Sequence, residues 1–121
     1  MVKTGVDLLT TSVTTVESDG EPYTLVELSG EADVTNSDVL REALEAEVAK
    51  QHGTLIIDLS GLRFMDSSAL HVILRASRAM DRQGGVLVLA SPRDPVAKML
   101  RLTAADQLIP VYASVSEATA G

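Results

Sequence analysis

The 121-residue sequence has no cysteine and no tryptophan, and its aromatic residues are limited to Tyr23, Tyr112 and Phe64. The lack of cysteine excludes disulfides, thiol catalysis and thiolate metal sites, and it mildly favours a reducing cytosol. With so few aromatic residues, the core must be built from aliphatic side chains and methionine. A chain of this length is expected to form one domain, residues 1–121, that needs no disulfide or metal.

Positive charge is also scarce, because 17 acidic residues against 10 lysines and arginines give a net charge of −7. This charge opposes broad attraction to nucleic acids or anionic lipids, so we expect neither as a partner. The apolar runs are far shorter than the roughly 20 residues of a membrane span. No charged and then apolar leader opens the chain, which predicts a cytoplasmic protein.

The first third of the sequence predicts two strands and a helix. Residues 6–30 alternate loosely, are rich in Thr and Val, and break at a turn centred on Asp19-Gly20. The stretch Thr35–Asp38, "TNSD", fits a capping box that opens a helix, and Gly53 is the expected C-cap. The expected inner face of this helix comprises Leu40, Ala43, Leu44 and Val48.

The middle of the sequence predicts a strand–helix–strand unit. Thr54–Ser60, "TLIIDLS", and Val86–Ala90, "VLVLA", are short apolar runs typical of strands buried in a parallel sheet. The segment Ser67–Gln83 between them has helical periodicity and stops at Gly84-Gly85. Its expected inner face comprises Leu70, Ile73, Leu74 and Ser77. The crossover of such a unit is expected to be right-handed.

The last third predicts a helix, a short strand and a brief terminal helix. The helix is expected to start at Ser91-Pro92 or at Asp94-Pro95, two alternatives that the sequence leaves open. Leu108–Val111 is the predicted strand, and Ser114–Glu117 fits a capping box for the terminal helix. The expected inner face of the longer helix comprises Val96, Met99, Leu100 and Thr103.

The junction at Asp66 and Ser67 has a structural and a functional interpretation. Either residue is a good N-cap for the following helix, and capping alone would explain both. However, a strand-to-helix loop lies at the carboxyl edge of a parallel sheet, where α/β proteins usually place their sites. A set of polar and basic residues also shares one face of that helix: Ser68, His71, Arg75, Arg78 and Arg82. This stripe is either a solvated surface or a basic patch suited to an acidic partner.

A hydroxyl in the first helical turn is suited to regulation by phosphorylation. A phosphate adds roughly −1.5 to −2 charges. The helix N-terminus tolerates an anion, whereas a docked interface is disrupted by its bulk and charge.

The stretch "DLSGLRFMDSSALHVILRASRAM" resembles the signature of STAS domains, specifically the small stand-alone anti-sigma factor antagonists of bacteria. "VELSGEADVTNSDVLREAL" and "LVLASPRDPVAKMLRLTAADQLIPVYASVSEA" are similar to flanking parts of the same family, so the resemblance covers Leu25 to Ala118. It implies an α/β STAS fold with a mixed, mostly parallel sheet of about four to six strands flanked by about four helices. It also implies no catalytic activity and no cofactor.

The resemblance further implies a partner-switching role. Such proteins bind an anti-sigma factor that is also a serine kinase, and thereby free a sigma factor. The kinase, which binds the ATP, phosphorylates the serine that matches Ser68, and a PP2C-type phosphatase reverses the modification. Asp33 matches an acidic residue of the family near that serine. The expected partner-binding residues are Asp33, Asp66, Ser67, Ser68, Ala69, His71, Val72, Arg75 and Arg78.

Two residues depart from the family pattern. Ala69 stands where the family usually has glycine, which bears on recognition by the kinase because alanine favours helix more strongly. Ala104 stands where a helix-ending glycine is common, and we expect a slightly different helix end there.

Other functions have weaker support in the sequence. A hydrolase using Ser68 and His71 would lack a Gly-x-Ser-x-Gly elbow and a third group that orients the histidine. His52 and His71 do not have metal-ligand spacing, so no metal site is expected, and His52 is interpreted as a solvated residue at a helix end. The main alternative is another STAS module, a scaffold or subunit of a larger signalling or transport assembly, in which Ser68 is not phosphorylated.

Overall fold

The computed structural model describes residues 9–17, 22–50 and 53–120. Within these ranges the chain forms five strands: β1 Thr10–Val16, β2 Tyr23–Ala32, β3 Thr54–Met65, β4 Val86–Ala90 and β5 Val111–Tyr112. The same residues form four α-helices: α1 Ser37–Val48, α2 Ser67–Arg82, α3 Asp94–Leu102 and α4 Val115–Ala120. A single 3₁₀ turn, Ala105–Gln107, follows α3.

The strands form one sheet in the order β1-β2-β3-β4-β5. β1 pairs antiparallel with β2, and every other neighbouring pair is parallel. Each parallel connection contains one of the helices α1, α2 and α3, as a parallel pair requires a crossover. The predicted mixed, mostly parallel sheet with flanking helices is therefore confirmed.

The two faces of the sheet are covered unequally. Alternate residues of β3 point to opposite faces, so Leu55 and Ile57 join a large core cluster while Ile56 joins a small one. The helices contribute to the large cluster through Leu40, Leu44, Ile73, Met80, Val96 and Leu100. On the opposite face, the small cluster is packed by Val115 and Ala118 of the six-residue helix α4. The aliphatic core expected from the composition lies mainly under α1, α2 and α3.

β3 extends five residues beyond the predicted end at Ser60, to Met65. Its second half pairs with the end of β2 through two irregularities in register. Gly61 makes this pairing possible, since a Cβ at that position would lie 2.9 Å from the Leu28 carbonyl oxygen and 2.5 Å from the Ser29 Oγ. Gly61 therefore lies inside β3, at a point of close approach between two strands.

The predicted boundaries of α1 are wrong at both ends. Asn36, not Thr35, is the N-cap, and its side chain makes no capping bond. The Asn36 Nδ2 instead donates to the Glu31 carbonyl at 2.8 Å, back toward β2. At the other end Ala49 is the C-cap and keeps right-handed helical geometry, so Gly53 does not end the helix. The Gly53 carbonyl accepts from the Val86 N–H at 2.9 Å, at the start of the β3–β4 pair.

Both ends of α2 agree with the prediction from the sequence. The helix ends at Arg82, and Gly84 follows in a left-handed conformation with φ of +83°. Leu70, Ile73 and Ser77 are buried as expected.

The last third differs from prediction in three places. α3 has Arg93 as its N-cap and proline in the first turn, which is closer to the Asp94-Pro95 alternative. Thr103, predicted on the inner face, is exposed, because it is the C-cap and its hydroxyl donates to the Met99 carbonyl at 2.8 Å. β5 starts at Val111 rather than Leu108, since the 3₁₀ turn leads the chain inward at buried Ile109.

The terminal capping box is confirmed, whereas two predictions fall outside the described residues. The Glu117 N–H donates to the Ser114 Oγ at 3.0 Å at the start of α4. The predicted turn at Asp19-Gly20 and the predicted environment of His52 concern residues that the structure does not describe.

Ala104 adopts a left-handed conformation, with φ of 61° and ψ of 18°. This is the geometry that glycine adopts without steric cost and that alanine adopts at a cost of roughly 1–2 kcal/mol. The chain after α3 therefore has a glycine-like conformation at Ala104, and the alanine methyl group strains the backbone locally.

Candidate functional site

Asp66 joins two loops at the carboxyl edge of the sheet. β2 and β3 end side by side, with Ala32 paired to Met65, and the Asp66 N–H donates to the Ala32 carbonyl at 3.0 Å. One carboxylate oxygen accepts from the Ala69 N–H at 3.1 Å, which caps α2. The other oxygen accepts from the Val34 N–H at 3.0 Å, in the β2–α1 loop. Of the two candidate caps, Asp66 performs this role, and it also holds the neighbouring loop.

Asp33 shapes the loop that Asp66 holds. Its Oδ1 accepts from the backbone N–H of Thr35 at 2.9 Å and also from the Thr35 hydroxyl. The Asp33 N–H donates to the Asn36 Oδ1 at 3.0 Å. These short-range bonds form an Asx-type turn that fixes the backbone between β2 and α1. Because Asp66 holds the Val34 N–H, the loop that contains Asp33 is tied to the start of α2.

Ser67 and Ser68 are the first two residues of α2. Ser67 is exposed and Ser68 is half-buried. Within the described ranges, no protein group is hydrogen-bonded to either hydroxyl. Because Asp66 caps the helix, neither serine is needed for that purpose. Both hydroxyls are available for chemistry or for contacts with another molecule.

An open groove of about 730 Å³ runs between α1 and α2. Both helices start at the carboxyl edge of the sheet, so the groove begins with hydroxyls from both helix starts: Ser37, Ser67 and Ser68. Its apolar part consists of Leu44, Val48, Val72, Ala76 and Ala79. The phosphorylation candidate Ser68 therefore lies at the mouth of a groove, beside two helix N-termini that favour anions.

The α1 wall of the groove carries charges that pair with one another. Arg41 lies 3.1 Å from an Asp38 oxygen and 3.6 Å from a Glu45 oxygen. The hydrogen bond that Arg41 donates to Asp38, followed by the negative charges of Asp38 and Glu45, raises the pKa of Arg41 above its usual value. These are exposed helix pairs at (i, i+3) and (i, i+4) spacing, and water screens them. The α1 wall therefore has little positive charge left for another anion.

The α2 wall differs from the α1 wall because its arginines have no carboxylate partner among the described residues. His71, Arg75 and Arg82 line this wall. In the part of the chain that the structure describes, no carboxylate lies within 4.0 Å of Arg75, Arg78 or Arg82. In a chain of net charge −7, this wall is a local concentration of uncompensated positive charge.

The structure divides the predicted basic stripe into two parts. Ser68, His71, Arg75 and Arg82 line the groove, whereas Arg78 is exposed on α2 outside the groove lining. Val72, also predicted to contact a partner, is half-buried and lines the groove.

Ala69 cannot contact a partner through its side chain, which corrects the sequence-based prediction. Its methyl group is 0% exposed and belongs to the large core cluster. As the third residue of α2 it faces the sheet, while Ser68 faces the groove. The replacement of the family's glycine by alanine therefore changes the packing under the serine, not the surface around it.

Sequence reasoning missed the polar residues of the α1 wall: Ser37, Asp38, Arg41 and Glu45. The alternation of acidic and basic residues at helical spacing was visible in the sequence. Which face of α1 lies beside α2, however, depends on how both helices pack on the sheet.

Two other classes of site have no support within the described residues. They contain no cluster of three or more His, Cys, Asp or Glu side chains arranged to hold a metal ion. They also contain no helix that is long and apolar enough to span a membrane.

Comparison with known protein families matches residues 12–118 to the family described as STAS domain. The chain is 34% identical over 89 residues to the anti-sigma F factor antagonist of Paenibacillus polymyxa, covering 73% of this chain and 76% of that one. It is 27% identical to a crystal structure of an anti-sigma factor antagonist from Mycobacterium paratuberculosis, with a TM-score of 0.82. That match covers 94% of this chain and 93% of the other.

A further similar structure is that of SpoIIAA, a Bacillus cell fate determinant, in its phosphorylated form. The TM-score is 0.63 at 21% identity, with 89% of this chain and 96% of that chain covered. At this level of identity the likeness concerns the fold alone.

Proposed function

The chain belongs to the STAS domain family, and we propose on that basis that it is an anti-sigma factor antagonist. It binds an anti-sigma factor and thereby frees a sigma factor. The relatives from Paenibacillus polymyxa and Mycobacterium paratuberculosis carry this description, and both matches cover most of each chain. The anti-sigma factor is also a serine kinase that binds the ATP, and a PP2C-type phosphatase restores the antagonist in the cytoplasm.

Ser68 is the switch in this proposal, and the observation that carries it is the environment of its hydroxyl. The hydroxyl lines an open groove and is bonded to no described protein group. A kinase needs to break no internal bond to reach it. Because Asp66 caps α2, modification of Ser68 also leaves the helix start intact.

The physical basis of the switch is the difference between the isolated domain and the complex. In the isolated domain, a phosphate at the second residue of α2 is stabilised by the helix N-terminus by a few tenths to about 1 kcal/mol. In a docked complex, the same group adds bulk and roughly −1.5 to −2 charges that must be desolvated against an acidic partner. Phosphorylation therefore weakens binding without unfolding the protein.

The basic stripe on α2 favours a partner with an acidic surface. Arg75 and Arg78 have no carboxylate partner among the described residues and point away from the core. Complementary charge at the rim of an interface chiefly raises the association rate and selects the partner. Asp33 and Asp66 support this surface by shaping the loops beside Ser68, and the exposed Ser67 adjoins Ser68 on it.

The modification is tested by intact mass after incubation with ATP and each candidate serine kinase of the same genome. We expect one added phosphate in the wild type and in Ser67→Ala, and none in Ser68→Ala. Ser67→Ala is a matched control, because it removes the adjacent hydroxyl, which has the same chemistry and is more exposed to solvent. No phosphate with any kinase, or a phosphate that persists in Ser68→Ala, would contradict the proposal. The former result would favour an unphosphorylated STAS scaffold.

Binding to the anti-sigma factor is tested by calorimetry with Ser68→Ala and Ser68→Asp. We expect Ser68→Ala to bind in the presence of ATP and kinase activity, since it cannot be switched off. We expect Ser68→Asp to bind at least tenfold more weakly, a loss of about 1.4 kcal/mol, with an unchanged melting temperature. A large loss of thermal stability would mean that Ser68 is chiefly structural. A failure of Ser68→Ala to bind would mean that the hydroxyl itself contributes to the interface.

We infer no catalytic role for Ser68 and His71, although they line the same groove. Among the described residues no carboxylate is hydrogen-bonded to His71, so the pair lacks the orienting group of a catalytic triad. Loss of a hydrolytic turnover in both Ser68→Ala and His71→Ala would contradict this inference.

A further inference from the structure

Two basic residues follow Ser68 along the same wall of the groove. His71 comes one turn after Ser68, and residues at (i, i+3) on a helix have Cβ atoms about 5–6 Å apart. Arg75 comes one turn after His71, about 10 Å from Ser68 along the helix axis. Side chains on a helix lean toward its N-terminus, so both basic groups lean toward the serine. All three residues line the groove.

The other charged groups near this wall already have ion-pair or hydrogen-bond partners. On α1, the carboxylates of Asp38 and Glu45 lie within ion-pair distance of Arg41. The carboxylate of Asp66 accepts two backbone N–H groups. A new anion on Ser68 would therefore find its counter-ions on α2, where Arg75 and the more distant Arg82 have no described carboxylate partner.

We propose that His71 and Arg75 form an intramolecular binding site for a phosphate on Ser68. This inference rests on the proposed phosphorylation and concerns how the modified state works. The phosphate draws the two basic side chains onto itself, so they are withdrawn from the surface that attracts an acidic partner. Phosphorylation thus acts twice, by adding negative charge to the interface and by occupying the cations that an acidic partner would use.

The experiment uses the full chain with phosphoserine inserted at position 68 during translation, so that no kinase is required. The two histidines of the chain are followed by NMR during a pH titration. His71→Gln identifies the resonance of His71, and the resonance of His52 serves as the internal comparison. We expect the phosphate to raise the pKa of His71 by about one unit or more, because an adjacent anion stabilises the imidazolium. We expect a clearly smaller change for His52.

The contribution of Arg75 is read from the phosphorus resonance of the phosphoserine. A neighbouring cation favours the dianion and lowers the second pKa of the phosphate, which is ordinarily about 6. We expect this pKa to rise in Arg75→Gln and to remain unchanged in Arg78→Gln. Arg78→Gln is the matched control, because it removes the same charge from the same helix outside the groove.

Equal shifts of both histidines, or no shift of His71, would overturn the assignment of His71. Equal effects of Arg75→Gln and Arg78→Gln would overturn that of Arg75, since a general change in net charge would then explain them. These outcomes are independent of the proposed function. If no kinase modifies Ser68 but His71 responds to the inserted phosphate, the binding site stands and the switch fails. If a kinase modifies Ser68 but His71 does not respond, the switch stands and the binding site fails.

Discussion

Replacing Asp66 by alanine should destabilise the protein by more than the loss of a helix cap alone. The cap on Ala69 is worth about 1 kcal/mol, within a usual range of 0.5–2 kcal/mol. In the second bond, the Val34 N–H donates to the charged Asp66 carboxylate. This N–H is exposed, so it can bond to water when the carboxylate is removed. We therefore assign it about 1 kcal/mol or less. The expected decrease in the free energy of unfolding is about 1–2 kcal/mol.

The measurement is urea-induced unfolding of the wild type and three variants at one pH. Asp66→Asn should lose about half as much as Asp66→Ala, because asparagine is a good N-cap but has one oxygen in place of two. Asp58→Ala is the matched control, since the Asp58 carboxylate also accepts a backbone N–H, from Ser60 at 2.9 Å, but no second element depends on it. If Asp66→Ala costs no more than Asp58→Ala, the carboxylate does not join the two loops and the reasoning fails.

Three further predictions concern backbone strain, close strand approach and charge. Ala104→Gly should raise the free energy of unfolding by about 0.5–1 kcal/mol, since the relief of left-handed strain exceeds the added flexibility of the unfolded chain; a loss of stability on urea unfolding would contradict the left-handed conformation. Gly61→Ala should lower it by about 1–3 kcal/mol through a clash with β2, and by more than Gly53→Ala, where a Cβ would lie in ordinary contact, 3.9 Å from the Pro22 carbonyl oxygen; equal losses would refute the steric argument. Arg75→Glu should slow association with the acidic partner in stopped-flow measurements at low salt, with less effect at high salt and none on thermal stability. An association rate indifferent to this reversal would remove the argument from the basic stripe.

The parts of the fold that the sequence predicted well are those in which one local pattern dominates. The β4 strand has the predicted bounds, Val86–Ala90, because a continuous apolar run between turn residues has few alternatives. The start of α2 is equally clear, since Asp66 precedes a strongly periodic segment and its carboxylate accepts from one of the unpaired N–H groups there, that of Ala69.

Predictions failed where two local structures have nearly the same energy. Thr35 and Asn36 are both good capping residues, and tertiary contact decided between them, because the Asn36 side chain bonds to the end of β2. Ser60 was the predicted end of β3, but the strand continues through Gly61, where the lack of a side chain allows close pairing with β2. Ala104 shows the reverse case, in which surrounding structure imposes a glycine-like conformation on alanine.

By itself, the sequence determined the alternation of strands and helices, the resemblance to STAS domains, and the choice of Ser68 with the basic residues that follow it. The alternation and the shared face of the basic residues depend on periodicity and on residues close in the chain, whereas the choice of Ser68 rests on the resemblance. Only the tertiary structure decided that α1 supplies the second wall of the groove, that Ala69 points into the core, and that Arg78 lies outside the groove. The reason is that helical periodicity defines which residues share a face, whereas the neighbour that each face meets is set by packing on the sheet.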